Sequence, residues 1–417
     1  MAFWKDPGMT STSVSVAGRT ASPSTARAIN DRLALHLLKD KGPLTAGELK
    51  SLTGLSRPTI ADLVERLRQT GLVAVVGESG AERRGPNARV YGIVADSAHV
   101  AGVDVRTDGV AVCVADLLGR TVAEESLPVA PDVDPAHTVA AVVALVERAA
   151  QRAGAARLHH IGIGMPGLID PATGELNSPG GLPSWHRELA IALHGGLAAP
   201  VLLENEVNLA AVAEQRLGAV RDRDTFVLLW LGHGIGAAVV LDRVLRRGAS
   251  GGTGEIGFLP VPGTAGLPSA TGCDGGFHSL VGSAAVCELA RQHGLETAAG
   301  GSRGDGRTEG SGAAEAVIRV ALEAGERGET FLDALAARIA LGVAAICAVL
   351  DPGCAVLGGE VGRAGGEGLA RRVEEHVGRL SPLRTRVRAG VVGGGGVLRG
   401  AVLTALDATQ NELFGAP

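Results

Sequence analysis

Six side chains near the N-terminus have the chemistry to meet a polyanion. Ser56, Arg57, Thr59 and Arg66 lie close together, and Arg83 and Arg84 are adjacent. A guanidinium offers five donors in a rigid fork that matches a guanine edge or phosphate oxygens, and a hydroxyl adds a short donor beside it. What these groups can reach depends on the backbone that carries them. Ile60, Leu63, Val64 and Leu67 recur at i, i+3, i+4 and i+7, which predicts a helix whose apolar stripe turns inward and leaves Arg57, Thr59, Asp62 and Arg66 off it. Ser56 stands where such a helix takes its N-cap.

The neighbouring segments supply a frame. Ile29, Leu33 and Leu37 repeat at helical spacing between Ser24 and Lys39, and Lys41-Gly42-Pro43 stops that helix. Thr45-Ala46-Gly47-Glu48 reads as a capping box opening a short second helix through Leu49 and Leu52, which Gly54 ends. Beyond Gly71, the stretches Leu72 to Val76 and Arg89 to Val94 read as two strands around Glu78 to Asn87, a hairpin that carries Arg83 and Arg84. Helix, turn, helix and hairpin make a winged helix-turn-helix, which sets the N-terminus of its second motif helix in a major groove. The expectation is that Arg57 reads a guanine edge with Ser56, Thr59 and Arg66 beside it, while Arg83 and Arg84 meet phosphate or a minor groove. A double-stranded DNA operator, pseudo-palindromic if the protein is a dimer, is the expected partner. A three-helix packing module without nucleic acid is the alternative.

Charge divides the chain in the same place. Residues 1–95 carry +5 and the remainder −10, against a total of −5. A basic head on an acidic body suits a polyanion-binding module joined to a domain that avoids polyanions. At 417 residues the chain has room for two to four domains. The hydrophobic fraction is 46%, yet no uninterrupted apolar run has the length a spanning helix requires. Residues 1–21 read as a flexible leader without the apolar stretch of a secretory signal, so a cytoplasmic protein without a membrane partner is expected. Cys113, Cys273, Cys287, Cys347 and Cys354 are scattered, with no pair at knuckle or redox spacing; they read as reduced thiols. Aromatics are 2%, so the cores must be aliphatic.

From Asp96 onward, apolar strand-like runs alternate with helical stretches, as in an α/β domain. Val100 to Val105 and Val110 to Ala115 pair as a hairpin, Thr138 to Ala153 reads as a helix, and Ile161 to Gly164 as a strand. Four motifs follow in order: Gly164-Met165-Pro166-Gly167-Leu168-Ile169-Asp170, Glu204-Asn205-Glu206-Val207-Asn208, Gly232-His233-Gly234-Ile235-Gly236 and Gly254-Glu255-Ile256-Gly257. In this order and at these spacings, residues 96–417 resemble the ROK family of repressors and sugar kinases. The head is the domain that the family's repressor branch carries and its kinases lack.

The resemblance implies a two-lobed α/β actin-like ATPase fold with a sugar cleft between the lobes. It places 96–215 with 397–417 in a small lobe and 216–396 in a large lobe, behind a head at 22–95. The Gly/Ser/charged stretch 298–312 is expected to be a mobile insertion. Family kinases open with an Asp-x-Gly-Gly-Thr phosphate turn; aligned on Asp104, its last three positions are Arg106, Thr107 and Asp108 here. The Thr of the second phosphate turn is His233, and Glu206 replaces the Asp that removes the sugar hydroxyl proton. The family's zinc cysteines fall on Ser269, Thr271 and Gly276, and its zinc-binding His on Phe258, which implies no metal. Asn205 and Glu255 keep the sugar-binding pattern, His278 stands at a later Glu, and Trp185 lies where a cleft loop meets sugar or else packs in the core. An effector is thus expected at Asn205, Glu206, Glu255, His278 and Trp185, with no cofactor. The expected function is a DNA-binding transcriptional regulator, a repressor, with a degenerate kinase-like body that senses a sugar or sugar derivative and forms a dimer or tetramer. The rivals are an active sugar kinase with an appended DNA-binding domain, and a regulator that has lost ligand sensing.

Overall fold

The computed structural model describes residues 23–79, 88–106, 108–130, 134–177, 184–269, 272–295 and 310–415. The chain divides into two compact units, Met1–Val94 with Leu413–Pro417, and Ala95–Glu412.

In the first unit, α1 (Pro23–Lys41), β1 (Leu44–Thr45), α2 (Ala46–Thr53), α3 (Arg57–Gln69), β2 (Val73–Ser79) and β3 (Ala88–Ile93) form three helices and a small antiparallel sheet of order β1-β3-β2. The capping box forms as the residue types require. Thr45 Oγ1 accepts from the Glu48 amide at 3.2 Å, and the Glu48 carboxylate accepts from the Thr45 amide at 2.7 Å. Gly54 closes α2 in the left-handed region. Leu49, Ile60, Leu63, Val64, Leu67, Val73 and Ile93 are buried. The first helix turns a different face inward from the expected one. Ala34, Leu35 and Leu38 are buried, whereas Ile29 is 49% and Leu33 41% exposed. Two apolar stripes share this helix, and contact with the rest of the head selects the one at its C-terminal half.

The second unit runs through β4 (His99–Val105), β5 (Gly109–Asp116), β6 (Thr121–Pro128), α4 (Pro135–Arg152), β7 (Ile161–Met165), β8 (Leu168–Ile169), β9 (Leu176–Asn177), α5 (Ser184–Gly196), β10 (Val201–Asn205) and α6 (Glu206–Leu217). It continues with β11 (Phe226–Leu231), β12 (Ile235–Leu241), β13 (Val244–Arg246), α7 (His278–Val281), α8 (Ser283–Gln292), α9 (Gly310–Glu323), α10 (Glu326–Leu350), β14 (Cys354–Gly358), α11 (Gly359–Leu380), β15 (Arg386–Ala389) and α12 (Gly396–Phe414). Two five-stranded sheets result, β10-β7-β4-β5-β6 and β15-β14-β11-β12-β13. They share one plan: an antiparallel meander of three strands, then two later strands added parallel to its first. Parallel additions need crossovers, and helices supply them. The interior strands β7 and β11 are accordingly almost continuously apolar and buried.

On the second sheet, α8 to α11 enclose an aliphatic core around Phe277, Phe331 and Ile339. On the first, α4 and α5 pack over Val103, Val112 and Ile163. Val402, Ala405 and Leu406 of α12 cover Val100, Cys113 and Ala115 of the first sheet. That approach demands a glycine below it, because a Cβ on Gly162 would collide with the Ala401 carbonyl. Residues Leu413–Pro417, expected in the small lobe, group instead with the head unit, where the Phe414 ring meets His36 edge-on at 6.0 Å.

One further expectation is corrected. Gly310 to Gly312 are already helical in α9, so the insertion ends earlier than expected, and 296–309 lie outside the described residues. Helix α10 starts at Glu326. It is also long and apolar enough to cross a membrane, with a mean hydropathy of 2.0 over its best window, but Phe331, Leu335, Ala336, Ile339, Val343 and Cys347 line the core of the second sheet. All five cysteines are free thiols, and burial raises the pKa of each.

Candidate functional site

Two regions gather chemistry-bearing side chains. In the head, Ser56 caps α3: its Oγ accepts from the Thr59 amide at 3.3 Å and shares a hydrogen bond of 2.7 Å with the Thr59 hydroxyl. Arg57 and Pro58 form the first turn, and Arg57 is exposed. Among the described residues Arg57 makes no ion pair, so its guanidinium is available at the helix start. Arg66 is different. Its Nη2 and Nε bind Asp31 of α1 at 2.6 and 3.2 Å, and its Nη1 binds Asp62 one turn earlier. Arg66 thus braces α1 to α3, which also raises the Arg66 pKa, chiefly through the Asp31 hydrogen bond. Arg83 and Arg84 lie outside the described residues, in the segment joining β2 to β3.

In the body, the carboxyl ends of six parallel strands open on one cavity of about 470 Å³. Asp104 and Arg106 come from the end of β4, Pro166 follows β7, Glu206 follows β10, Trp230 lies on β11, Gly358 ends β14 and Gly390 follows β15. Strand carboxyl ends are where open α/β sheets hold ligands. Arg106 Nε and Nη2 reach Asp104 Oδ2 at 2.9 and 2.7 Å, and Nη2 also donates to the Gly394 carbonyl at 2.8 Å. Asp104 is 1% exposed; burial raises its pKa and Arg106 partly offsets that. Glu206 is pushed up to about 8, first by burial and then by the nearby charges of Asp104 and Glu360, with Arg106 opposing. Arg363 pairs with Glu315 at 2.7 Å. Glu214 accepts from the Ala219 and Val392 amides, each at 2.8 Å.

Of the five residues expected to hold an effector, only Glu206 lines this cavity. Asn205 is the N-cap of α6: its Oδ1 accepts from the Val207 and Asn208 amides at 2.8 and 3.4 Å, and its Nδ2 donates to the Gly167 carbonyl at 2.9 Å. It holds Glu206 in place. His278 heads α7 and lies near His233 of the cavity wall; burial and then His233 lower its pKa, against Asp274. Glu255 has its pKa raised by burial, and its charge acts on Cys273. Trp185 is corrected from the cleft to the core: it is 5% exposed, belongs to the apolar cluster of the first sheet, and stacks edge-on against His186 at 4.2 Å. His186 in turn sets its Nε2 3.3 Å from the Arg106 carbonyl. The residues not foreseen are Trp230, Glu315 and Arg363. Glu360, in the first turn of α11, also lines the cavity. Of the positions of the family's zinc ligands, Gly276 has no side chain and Thr271 lies outside the described residues.

These features define a class of protein, a winged helix-turn-helix head on a two-sheet actin-like ATPase body. The chain belongs to the ROK family, whose model matches residues 100–407, and residues 29–85 match the MarR family. The xylose repressor of Bacillus subtilis (strain 168) is 27% identical over 239 residues, which cover 56% of this chain and 60% of that protein. A ROK family transcriptional regulator, a homologue of the E. coli MLC protein, shares the fold with a TM-score of 0.70 over 94% of this chain and 99% of its own, at 18% identity. The ROK hexokinase from Thermus thermophilus aligns with a TM-score of 0.60 and 26% identity over 75% of this chain and 99% of its own.

Proposed function

We propose that the protein is a DNA-binding transcriptional regulator, acting as a repressor, whose kinase-derived body senses a small effector. The observation that carries this reading is the pairing of an unengaged Arg57 at the start of α3 with an Arg106 that fills the phosphate turn of the body and binds Asp104. On this reading Arg57, with Ser56 and Thr59, reads bases, and Arg83 and Arg84 meet phosphate or a minor groove. The body transfers no phosphoryl group, because Arg106 and Asp108 stand where backbone amides would meet phosphate, and Glu206 carries one methylene more than the Asp that it replaces. The effector, a sugar or sugar derivative, occupies the cavity against Glu206, with His278 beside the His233 wall, Asn205 positioning Glu206, and Glu255 kept as a further candidate contact. A ligand that prefers one arrangement of the cavity shifts the population of operator-competent protein. A homo-oligomer, dimer or tetramer, on a pseudo-palindromic operator in the cytoplasm completes the reading.

Selection of bound fragments from the source genome, with and without candidate sugars, tests it: a discrete set of enriched fragments is expected, and enrichment indistinguishable from non-specific DNA would overturn it. Sugar-dependent ADP release well above a Glu206→Ala control would favour the active kinase instead, which the hexokinase fold likeness keeps in view. One zinc per chain in purified protein would contradict the metal-free reading.

A further inference from the structure

We propose that a second site in the body, a cleft along the free edge of β15, binds the phosphoryl group of a small molecule between the guanidiniums of Arg223 and Arg371. The cleft shares no lining residue with the cavity at the strand ends, and the proposal does not rest on the effector reading.

β15 is the last strand of its sheet. The cleft beside it, of about 600 Å³, is walled by Arg386 and Arg388 of that strand, by Glu367, Arg371 and Glu374 of α11, and by Arg223 in the turn after α6. Positions 367, 371 and 374 stand at i, i+4 and i+7, which sets one stripe of α11 along the strand. The Arg386 and Gly390 amides donate towards β14, to the Gly353 and Leu357 carbonyls, so the Val387 and Ala389 amides point outward. The two glutamates take them: Glu374 accepts from the Val387 amide at 2.8 Å and Glu367 from the Ala389 amide at 3.4 Å. An edge capped in this way resists an added strand, which leaves the arginine side chains as the binding groups of the cleft.

Those arginines are in surplus. Glu374 also accepts from Arg386 Nη1 at 2.7 Å, and Arg388 holds Asp222 with both Nη groups at 2.7 and 3.0 Å. Arg371 is exposed and has no hydrogen bond or ion pair among the described residues. Arg223 keeps 40% of its side chain exposed, comes no nearer than 3.6 Å to Asp222, and makes no side-chain hydrogen bond among the described residues. Four guanidiniums therefore meet two carboxylates in the lining and Asp222 beside it, a positive excess set into a body of net charge −10. Such a spot attracts an anion and orients it. A guanidinium fork takes two oxygens at a time. A carboxylate has only two oxygens and one charge, whereas a phosphoryl group has three terminal oxygens and close to two charges, which suits two unengaged forks carried on different elements.

The test is calorimetric titration of the full chain, in a phosphate-free buffer of low ionic strength, with inorganic phosphate, glycerol 3-phosphate and glycerol. At least one of the two phosphates is expected to bind about tenfold or more tightly than glycerol. Equal affinity for both confines recognition to the phosphoryl group, and a preference for the ester adds contact with its skeleton; either result supports the site. Arg371→Gln and Arg223→Gln, at positions exposed enough to keep the wild-type circular dichroism spectrum, should each weaken that binding about fivefold or more. If neither phosphate binds better than glycerol, or if either variant keeps the wild-type affinity, the proposal fails.

Discussion

Arg57 and Arg106 are the same side chain in opposite circumstances. The first stands exposed at the start of α3, with no ion pair among the described residues, in a segment of net charge +5. The second reaches into a cavity where Asp104 and the Gly394 carbonyl hold it, in a body of net charge −10. A guanidinium attracts a polyanion only where its donors are unengaged and its surroundings are not acidic. In the cavity, the arginine neutralises the Asp104 carboxylate. The arginine of the head is left free for a partner, whereas that of the body is engaged by a carboxylate and a carbonyl of the same chain.

The largest effect that would break this contrast is in the cavity. Glu206 has its pKa raised from 4.5 to about 8, so it is neutral in the folded protein where the unfolded chain is already ionised. The stability it contributes is fully present below pH 4.5, falls as pH rises towards 8, and levels off beyond. Glu206→Gln keeps the neutral form, and at pH 8.5 should exceed the wild type by on the order of a few kcal/mol while differing little at pH 4.5. Denaturant unfolding of both proteins between pH 4.5 and 8.5 measures this. Parallel curves would mean that the carboxyl is not held neutral and that the cleft is less acidic than its lining suggests.

A smaller effect belongs to the head. Arg57→Ala should weaken the selected operator site by roughly 1–3 kcal/mol and relax base preference at one position. Equal binding by wild type and variant at matched salt would remove base reading from the start of α3.

The smallest sharpens the distinction within the head itself. Arg66 and Asp31 keep about a quarter of their side chains exposed, 28% and 24%, and solvent screens their attraction. Arg66→Ala should cost the head about 1 kcal/mol of stability while leaving the operator affinity of the folded protein unchanged. A loss of affinity equal to that of Arg57→Ala, without a change in stability, would return Arg66 to the DNA-contacting set.

What was legible in the sequence depended on how far each interaction reaches along the chain. The capping box of Thr45 and Glu48, the Ser56 cap and the stripe Ile60, Leu63, Val64, Leu67 all formed as expected, because each rests on partners three to seven residues apart. The position of Arg66 off the apolar stripe said nothing of its pairing with Asp31, which is 35 residues away. Trp185 had two readings, and only the packing of α5 on the first sheet selected the buried one. The motif at Asn205 and Glu206 was found, but the two side chains part company at the cap: one is turned back on the backbone of α6 and the other into the cavity.

By itself, the amino-acid sequence determined the helix-turn-helix of the head, the first hairpin, helix and parallel strand of the body, the division of charge, and the four motifs that mark the ROK body. These follow from local backbone preference and apolar period, which act over a few residues and survive in any context. Tertiary structure alone decided which face of α1 is buried, that Arg106 joins Asp104 to a carbonyl 288 residues later, and that Glu206, Trp230 and Glu360 meet in one cavity. Six strand ends from two separate sheets converge there, and the charge of that cavity is a property of their meeting, which no single segment of the chain contains.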